Sequence, residues 1–297
     1  MEKSKFRKIM EMLLILVIVI LVVAGGTYLF KKNNITIGKG KKISNPEITF
    51  NTNFGSFTAE LYPDKAPNTV KNILALASSG YYNGKIIYGK DVVSMHLGRL
   101  QDGREDAPTL SDIDQNIVKG SDKDIKYSIK GEFTKNGFDK NNIPHERYVL
   151  SIARPDYTKI MKNLEPQSFN AGNSIILIVT RGGEALNGRY SAFGKVIKGR
   201  DVIDKIESLD LKDIKKFDEM TKNEKDPEKK AKMEKALAEK LMGLNGFEEK
   251  VIIESVNIDT KGITYGSPEY IKAFNLEEYV VEKYKKEETK EVRKRGE

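Results

Sequence analysis

Hydrophobic and polar positions alternate in several short runs spread along most of this chain. Ile48 and Phe50, then Phe57, Ala59 and Leu61, read as two strands joined by a turn at Asn53-Phe54-Gly55. Ile86 to Leu100 reads as strand, turn and strand. The apolar run Ile175 to Val179 predicts a buried strand, and Val251 to Ile258 alternates as one that closes a sheet. A different period follows Pro67: Val70, Ile73, Leu74 and Ala77 recur at helical spacing until Gly80. Between Leu186 and Ile206, Asn187-Gly188 marks a tight turn and Phe193 to Val196 a strand. Lys198-Gly199 turns the chain again. Asp201 then caps a helix whose inner stripe is Val202, Ile206 and Leu209. Many short strands with two moderate helices predict a mostly β fold, a closed antiparallel barrel.

Three stretches break this pattern. Met12 to Phe30 carries no charge over 19 residues, about 28 Å as a helix, close to the apolar thickness of a bilayer. Lysines and an arginine flank it at Lys3, Lys5, Arg7, Lys8, Lys31 and Lys32. An uncleaved anchor is favoured over a cleaved signal peptide, although Val22-Val23-Ala24 and Ala24-Gly25-Gly26 offer small residues for cleavage. Residues 211–248 form an insertion with a helix starting at Asp226-Pro227-Glu228, whose Met233, Leu237 and Leu241 repeat every four residues amid Lys and Glu. Ser267-Pro268-Glu269 is read as another helix start, followed by a charged tail. The expected organisation is a basic tail (1–11), a transmembrane anchor (12–30), a linker (31–47), a barrel domain (48–260) containing the insertion, and a charged extension (261–297).

Charge and composition narrow the function classes. The net charge is +8, but residues 1–42 hold nine Lys/Arg against two Glu, while the rest holds 42 against 41. The basic excess therefore flanks the apolar segment and does not form a nucleic-acid-binding face. With no cysteine, disulfides and thiolate metal sites are excluded. The two histidines, His96 and His145, stand far apart in sequence, so a His-rich metal site is not expected. No cofactor is implied.

The same segments carry a resemblance. Leu186 to Ile206, LNGRYSAFGKVIKGRDVIDKI, resembles the cyclophilin-type peptidyl-prolyl isomerase pattern L-D-G-x-[HY]-x-x-F-G-x-V-x-x-G-x-D-V-[IV]-x-x-I. The run from Ile48 to Ile87, with Ala66 to Asn72 and Gly80 to Gly84, is similar to the opening of bacterial cyclophilins. Tyr127 to Phe138 and His145 to Arg154 resemble family segments containing G-E-F and H-x-R-G-x-L-S-M-A. The resemblance covers about 48–209 and 251–260. It implies an eight-stranded cyclophilin-like barrel with a helix over each end, acting on extended polypeptide clients at Xaa-Pro bonds during folding of exported proteins. With the anchor, it implies a single-pass membrane protein whose folded domain is extracytoplasmic.

Prolyl isomerisation must overcome an amide rotation barrier of about 18–20 kcal/mol. In cyclophilins an arginine of F-H-R-x-I-P-G-F-M-x-Q-G-G-D assists by hydrogen bonding, and apolar residues hold the proline ring. Laid without gaps on IYGKDVVSMHLGRL, that segment puts Gly89 at the arginine, Ser94 at the pocket phenylalanine and Leu97 at the glutamine. Ser174 replaces a second glutamine. The resemblance then leaves Met95, Ile176, Leu186 and Tyr190 as the substrate pocket. Lys90, by a one-residue slip, and Arg154 are the candidate surrogate donors. Weak or absent catalysis is expected. The alternative is a non-catalytic chaperone or scaffold that holds extended proline-containing segments.

Overall fold

The computed structural model describes residues 44–113 and 124–295. The expected anchor, its basic flanks and most of the linker lie outside them. Asn45–Glu297 is one compact unit.

Its centre is a closed barrel of eight antiparallel strands in the order β1-β2-β8-β6-β7-β4-β3-β9. β1 (Glu47–Thr52) and β2 (Gly55–Leu61) form the predicted hairpin. β3 (Ile86–Lys90) and β4 (Ser94–Arg99) form the next. β6 (Val149–Ile152), β7 (Ile176–Val179) and β8 (Ala192–Lys198) complete the sheet with β9 (Asn245–Asp259). The short strand β5 (Tyr127–Ser128) lies outside the barrel, in a separate two-stranded sheet. The alternation follows the sequence: Ile48 and Phe50 of β1 and Phe57, Ala59 and Leu61 of β2 are fully buried, and the Phe50 and Phe57 rings stack at 5.2 Å.

Helix α1 (Pro67–Ser78) buries Val70, Ile73, Leu74 and Ala77 as its period requires. Its first amide groups need acceptors, and the buried Glu132 of the G-E-F segment supplies them, taking Asn68 N at 2.9 Å and Thr69 N at 2.8 Å. A short helix, α2 (Glu165–Phe169), stands in the stretch between β6 and β7. Helix α3 (Arg200–Glu207) is capped two residues earlier than expected. Gly199, at φ +72°, takes the cap position, and Asp201 lies in the first turn without a capping bond. Ile203 and Ile206 form the buried stripe, while Val202 packs against the hairpin glycine Gly55.

The insertion contains two helices rather than one, α4 (Ile214–Asn223) and the expected α5 (Pro227–Met242). Asp226 caps α5, accepting from Glu228 N and Lys229 N. β9 begins at Asn245, well before the predicted Val251. The predicted helix at Ser267 is absent: the chain there is extended, pairs as β10 (Ile271–Lys272) with β5, and turns into α6 (Leu276–Arg295) only afterwards.

Tyr148 adopts φ +71°, a region that side chains other than glycine rarely occupy. The family pattern has glycine at this position. Here the guanidinium groups of Arg147 and Arg200 lie 5.0 and 5.2 Å from the ring centre, and the hydroxyl donates to Asp204. Those contacts hold a conformation that costs about 1–3 kcal/mol.

Candidate functional site

Gly89 is central to the site. It pairs across the β3–β9 ladder with Gly246, and a Cβ built there would stand 1.8 Å from the Asn245 carbonyl oxygen and 2.6 Å from the Gly246 Cα. No side chain fits at this position. The early start of β9, which brings the end of the insertion against β3, occupies the space where the resemblance places an arginine. Lys90, the neighbouring candidate donor, is engaged at the end of α3. Its ammonium donates to the Glu207 carbonyl at the end of α3 and lines a cleft of about 500 Å³ with Leu209, Ile214, Leu237 and Leu241 beneath the inserted helices. Burial pushes its pKa down, and the nearby Glu207 charge opposes this.

Strand alternation separates the four expected pocket residues. Met95 pairs with Ile178 and Leu97 with Ile176, and all four side chains are fully buried in the main core. Met95 and Ile176 therefore point into the barrel core and are not among the residues lining the pocket that holds Leu186 and Tyr190. Ser94, His96, Leu177 and Val179 take the opposite face, because successive residues of a strand point to opposite sides. The strand pairing sets His96 opposite Gly89. His96 Nε2 meets Asp91 Oδ2 at 3.1 Å, while Asp91 Oδ1 accepts Val93 N at 2.8 Å and Ser94 N at 2.7 Å. Burial pushes the Asp91 carboxyl up. The His96 contact and the two backbone donors outweigh it and hold the group below the usual carboxylate range.

Leu186 and Tyr190 do come together, and Arg154 joins them. These three, with Asp156, Ser168 and Phe169, line a pocket of about 530 Å³. Arg154 follows β6. Its guanidinium lies 4.5 Å from the centre of the Tyr190 ring, 4.9 Å from Phe169 and 5.7 Å from Phe133. One Nη donates to the Arg189 carbonyl at 3.2 Å, and Nε is buried without a partner. Burial pushes the Arg154 pKa down, opposed by Tyr190 and Asp156; guanidinium nevertheless stays charged. Beneath the pocket, His145 is 3% exposed and bridges Asn187 and Ser151 at 3.0 Å on each ring nitrogen. Burial lowers its pKa, as suits a neutral structural group.

The rings of Phe133 and Phe169 did not stand out in the sequence. Phe169 ends α2, whose only local signal is Pro166 in its first turn. Chemically, the pocket offers a desolvated, ring-braced cation beside the apolar surfaces of Leu186 and Tyr190. That combination suits a backbone carbonyl together with an adjoining apolar side chain.

The family model described as cyclophilin type peptidyl-prolyl cis-trans isomerase/CLD matches residues 47–236, more than half of the chain. The chain belongs to this family. It is 30% identical over 164 residues to peptidyl-prolyl cis-trans isomerase B of Escherichia coli (strain K12), spanning 54% of this chain and 84% of that one. It is 29% identical over 159 residues to peptidyl-prolyl cis-trans isomerase-like 2 of Rhizopus delemar, covering 53% of this chain and 24% of that protein. The chain thus spans a third or less of the length of some curated relatives it matches. Among solved structures, a Cryptosporidium parvum cyclophilin type isomerase aligns with a TM-score of 0.47 and 19% identity, over 72% of this chain and 96% of that one.

The closeness of β9 makes a direct prediction. Gly89→Ala should destabilise the protein by about 1–3 kcal/mol through overpacking, and Gly89→Arg by more. Urea denaturation of the two variants measures this, and an unchanged midpoint for Gly89→Ala would show that β9 does not press on β3 there.

Proposed function

We propose that this protein binds extended, proline-containing segments of other polypeptides at the Arg154–Leu186–Tyr190 pocket, with weak or absent prolyl isomerisation. The carrying observation is Gly89, where the backbone of β9 excludes any side chain. Rotation about a prolyl amide is assisted by a donor aimed at the twisted nitrogen. Removing a positioned donor of this kind commonly costs about 10²–10³ in rate. The pocket supports binding because a guanidinium and an apolar wall adjoin, which suits the carbonyl and the ring of an Xaa-Pro unit. The family relationship, and relatives named as isomerases, support the same ligand class.

A second reading gives Arg154 the donor role. Its favouring observation is that the guanidinium lies against Tyr190 in the same pocket as Leu186. Measuring cis–trans exchange of an Ala-Ala-Pro-Phe peptide with the full chain separates the two. The expected result is peptide binding with little acceleration over the uncatalysed exchange, and loss of binding in Arg154→Ala but not in Lys90→Ala. Strong turnover that Arg154→Ala abolishes supports the second reading. Strong turnover that survives both substitutions overturns the role given to this pocket.

The setting belongs to the same proposal: a single-pass membrane protein with its barrel outside the cytoplasm, serving exported chains. Its support is the uncharged run Met12–Phe30 with basic residues on both sides. Protease added to intact spheroplasts should remove the barrel domain from the membrane fraction. Full protection that ends only on lysis contradicts this topology.

A further inference from the structure

The C-terminal segment crosses the barrel domain as an extended strap before it becomes α6. It is fixed at three places. Near its start, Asn68 of α1 clamps the backbone of Glu269, donating from Nδ2 to its carbonyl at 2.8 Å and accepting its amide at 2.7 Å. Pro268, beside it, is buried. Next, β10 pairs with β5, Ile271 against Ser128 and Lys272 against Tyr127, and Ala273 N extends the pairing to the Lys126 carbonyl. Last, the Phe274 ring packs edge-on against Tyr157 at 5.2 Å and lies 5.5 Å from Tyr279. The Tyr279 hydroxyl accepts from Asn163 at 3.2 Å. The third anchorage therefore falls on the stretch between β6 and β7.

That stretch is one wall of the Arg154 pocket. Tyr157, against which Phe274 packs, donates its amide to Ser168 Oγ at 2.8 Å and so ties the turn to α2. Helix α2 has two faces. Pro166, Gln167 and Asn170 look onto a cleft of about 480 Å³ shared with Ile271, Phe274 and Tyr279 of the strap. Glu165, Ser168 and Phe169 line the Arg154 pocket, where the Phe169 ring supports the guanidinium. A single short helix thus separates the strap from the pocket. A five-residue helix has too few internal hydrogen bonds to hold itself in place and depends on what packs against it.

We infer that the C-terminal strap is a positioning element of the peptide pocket: Phe274 braces Tyr157 and α2 from outside, and α2 holds Phe169 against Arg154. The inference rests on the proposed reading of the pocket as the peptide site. Without the brace, the 157–169 wall loosens and the guanidinium loses one of its three ring supports. The affinity for peptide then falls because the site must be ordered at the moment of binding. The barrel has its own core and does not depend on this contact.

The test uses the full chain with Phe274→Ala and the conservative Phe274→Tyr. Three readouts are followed: hydrogen exchange of amides 157–169 without peptide, affinity for a fluorescein-labelled Ala-Ala-Pro-Phe peptide, and the urea midpoint. In Phe274→Ala, exchange of 157–169 should rise about tenfold, with the midpoint kept. Affinity should fall about fivefold or more, and Phe274→Tyr should restore both. Unchanged exchange across 157–169 overturns the inference, as does faster exchange with unchanged affinity. If Phe274→Ala lowers the midpoint as a whole, Tyr279→Ala opens the same contact from the solvent side and decides by the same readouts. Wild-type protein that binds no peptide overturns the pocket's role and this inference with it; the exchange result then shows separately whether the strap braces the wall.

Discussion

The approach of two backbones at Gly89 is the constraint on which the site depends. β9 must pair with β3 to close the barrel, and it arrives at β3 directly from the inserted helices, beginning at Asn245. The ladder brings the Asn245 carbonyl so close that only glycine is accommodated opposite it. A barrel closed this way has no room for a side chain at the position where the family resemblance places its arginine. An arginine at Gly89 would require β9 to retreat, and β9 is an integral strand of the barrel.

What remains on the outer face is assembled from loops that the barrel holds at fixed places. Arg154 leaves the end of β6, Leu186 and Tyr190 come from the turns before β8, and Phe169 comes from the stretch before β7. His145, buried beneath, ties the Asn187 turn to Ser151 of β6 and so sets one side of the pocket against the other. A neutral imidazole suits this structural role, since a charged one would be expensive to bury there. The cation in the pocket is tolerated differently: rings on several sides and one backbone carbonyl replace the water it has lost.

The barrel could be read from the chain because its strands alternate strongly and its turns carry glycine at positions that demand it, as Gly199 does at φ +72°. The helix over one end was equally plain from Pro67 and its apolar period. The pocket was only half readable. Leu186 and Tyr190 sit in a long motif without insertions, whereas Met95 and Ile176 lie on separate strands. A strand has period two, so the face that each presents follows from the register in which β4 and β7 pair, which no short run of residues marks. The packing of β9 against Gly89 and of Phe274 against Tyr157 joins residues more than a hundred positions apart. Neither leaves a periodic signal, and the extended strap begins at a Ser-Pro-Glu that locally resembles a helix start.

In the proposed function, peptide enters at Arg154 on a barrel in which β9 closes off Gly89. Amide NMR shifts of the 45–297 unit, recorded as Ala-Ala-Pro-Phe is added, test it most directly. Perturbations should centre on Arg154, Phe169, Leu186 and Tyr190 and leave Lys90, Leu237 and Leu241 unaffected. Perturbations centred on Lys90 and the inserted helices, or none at saturating peptide, would contradict it.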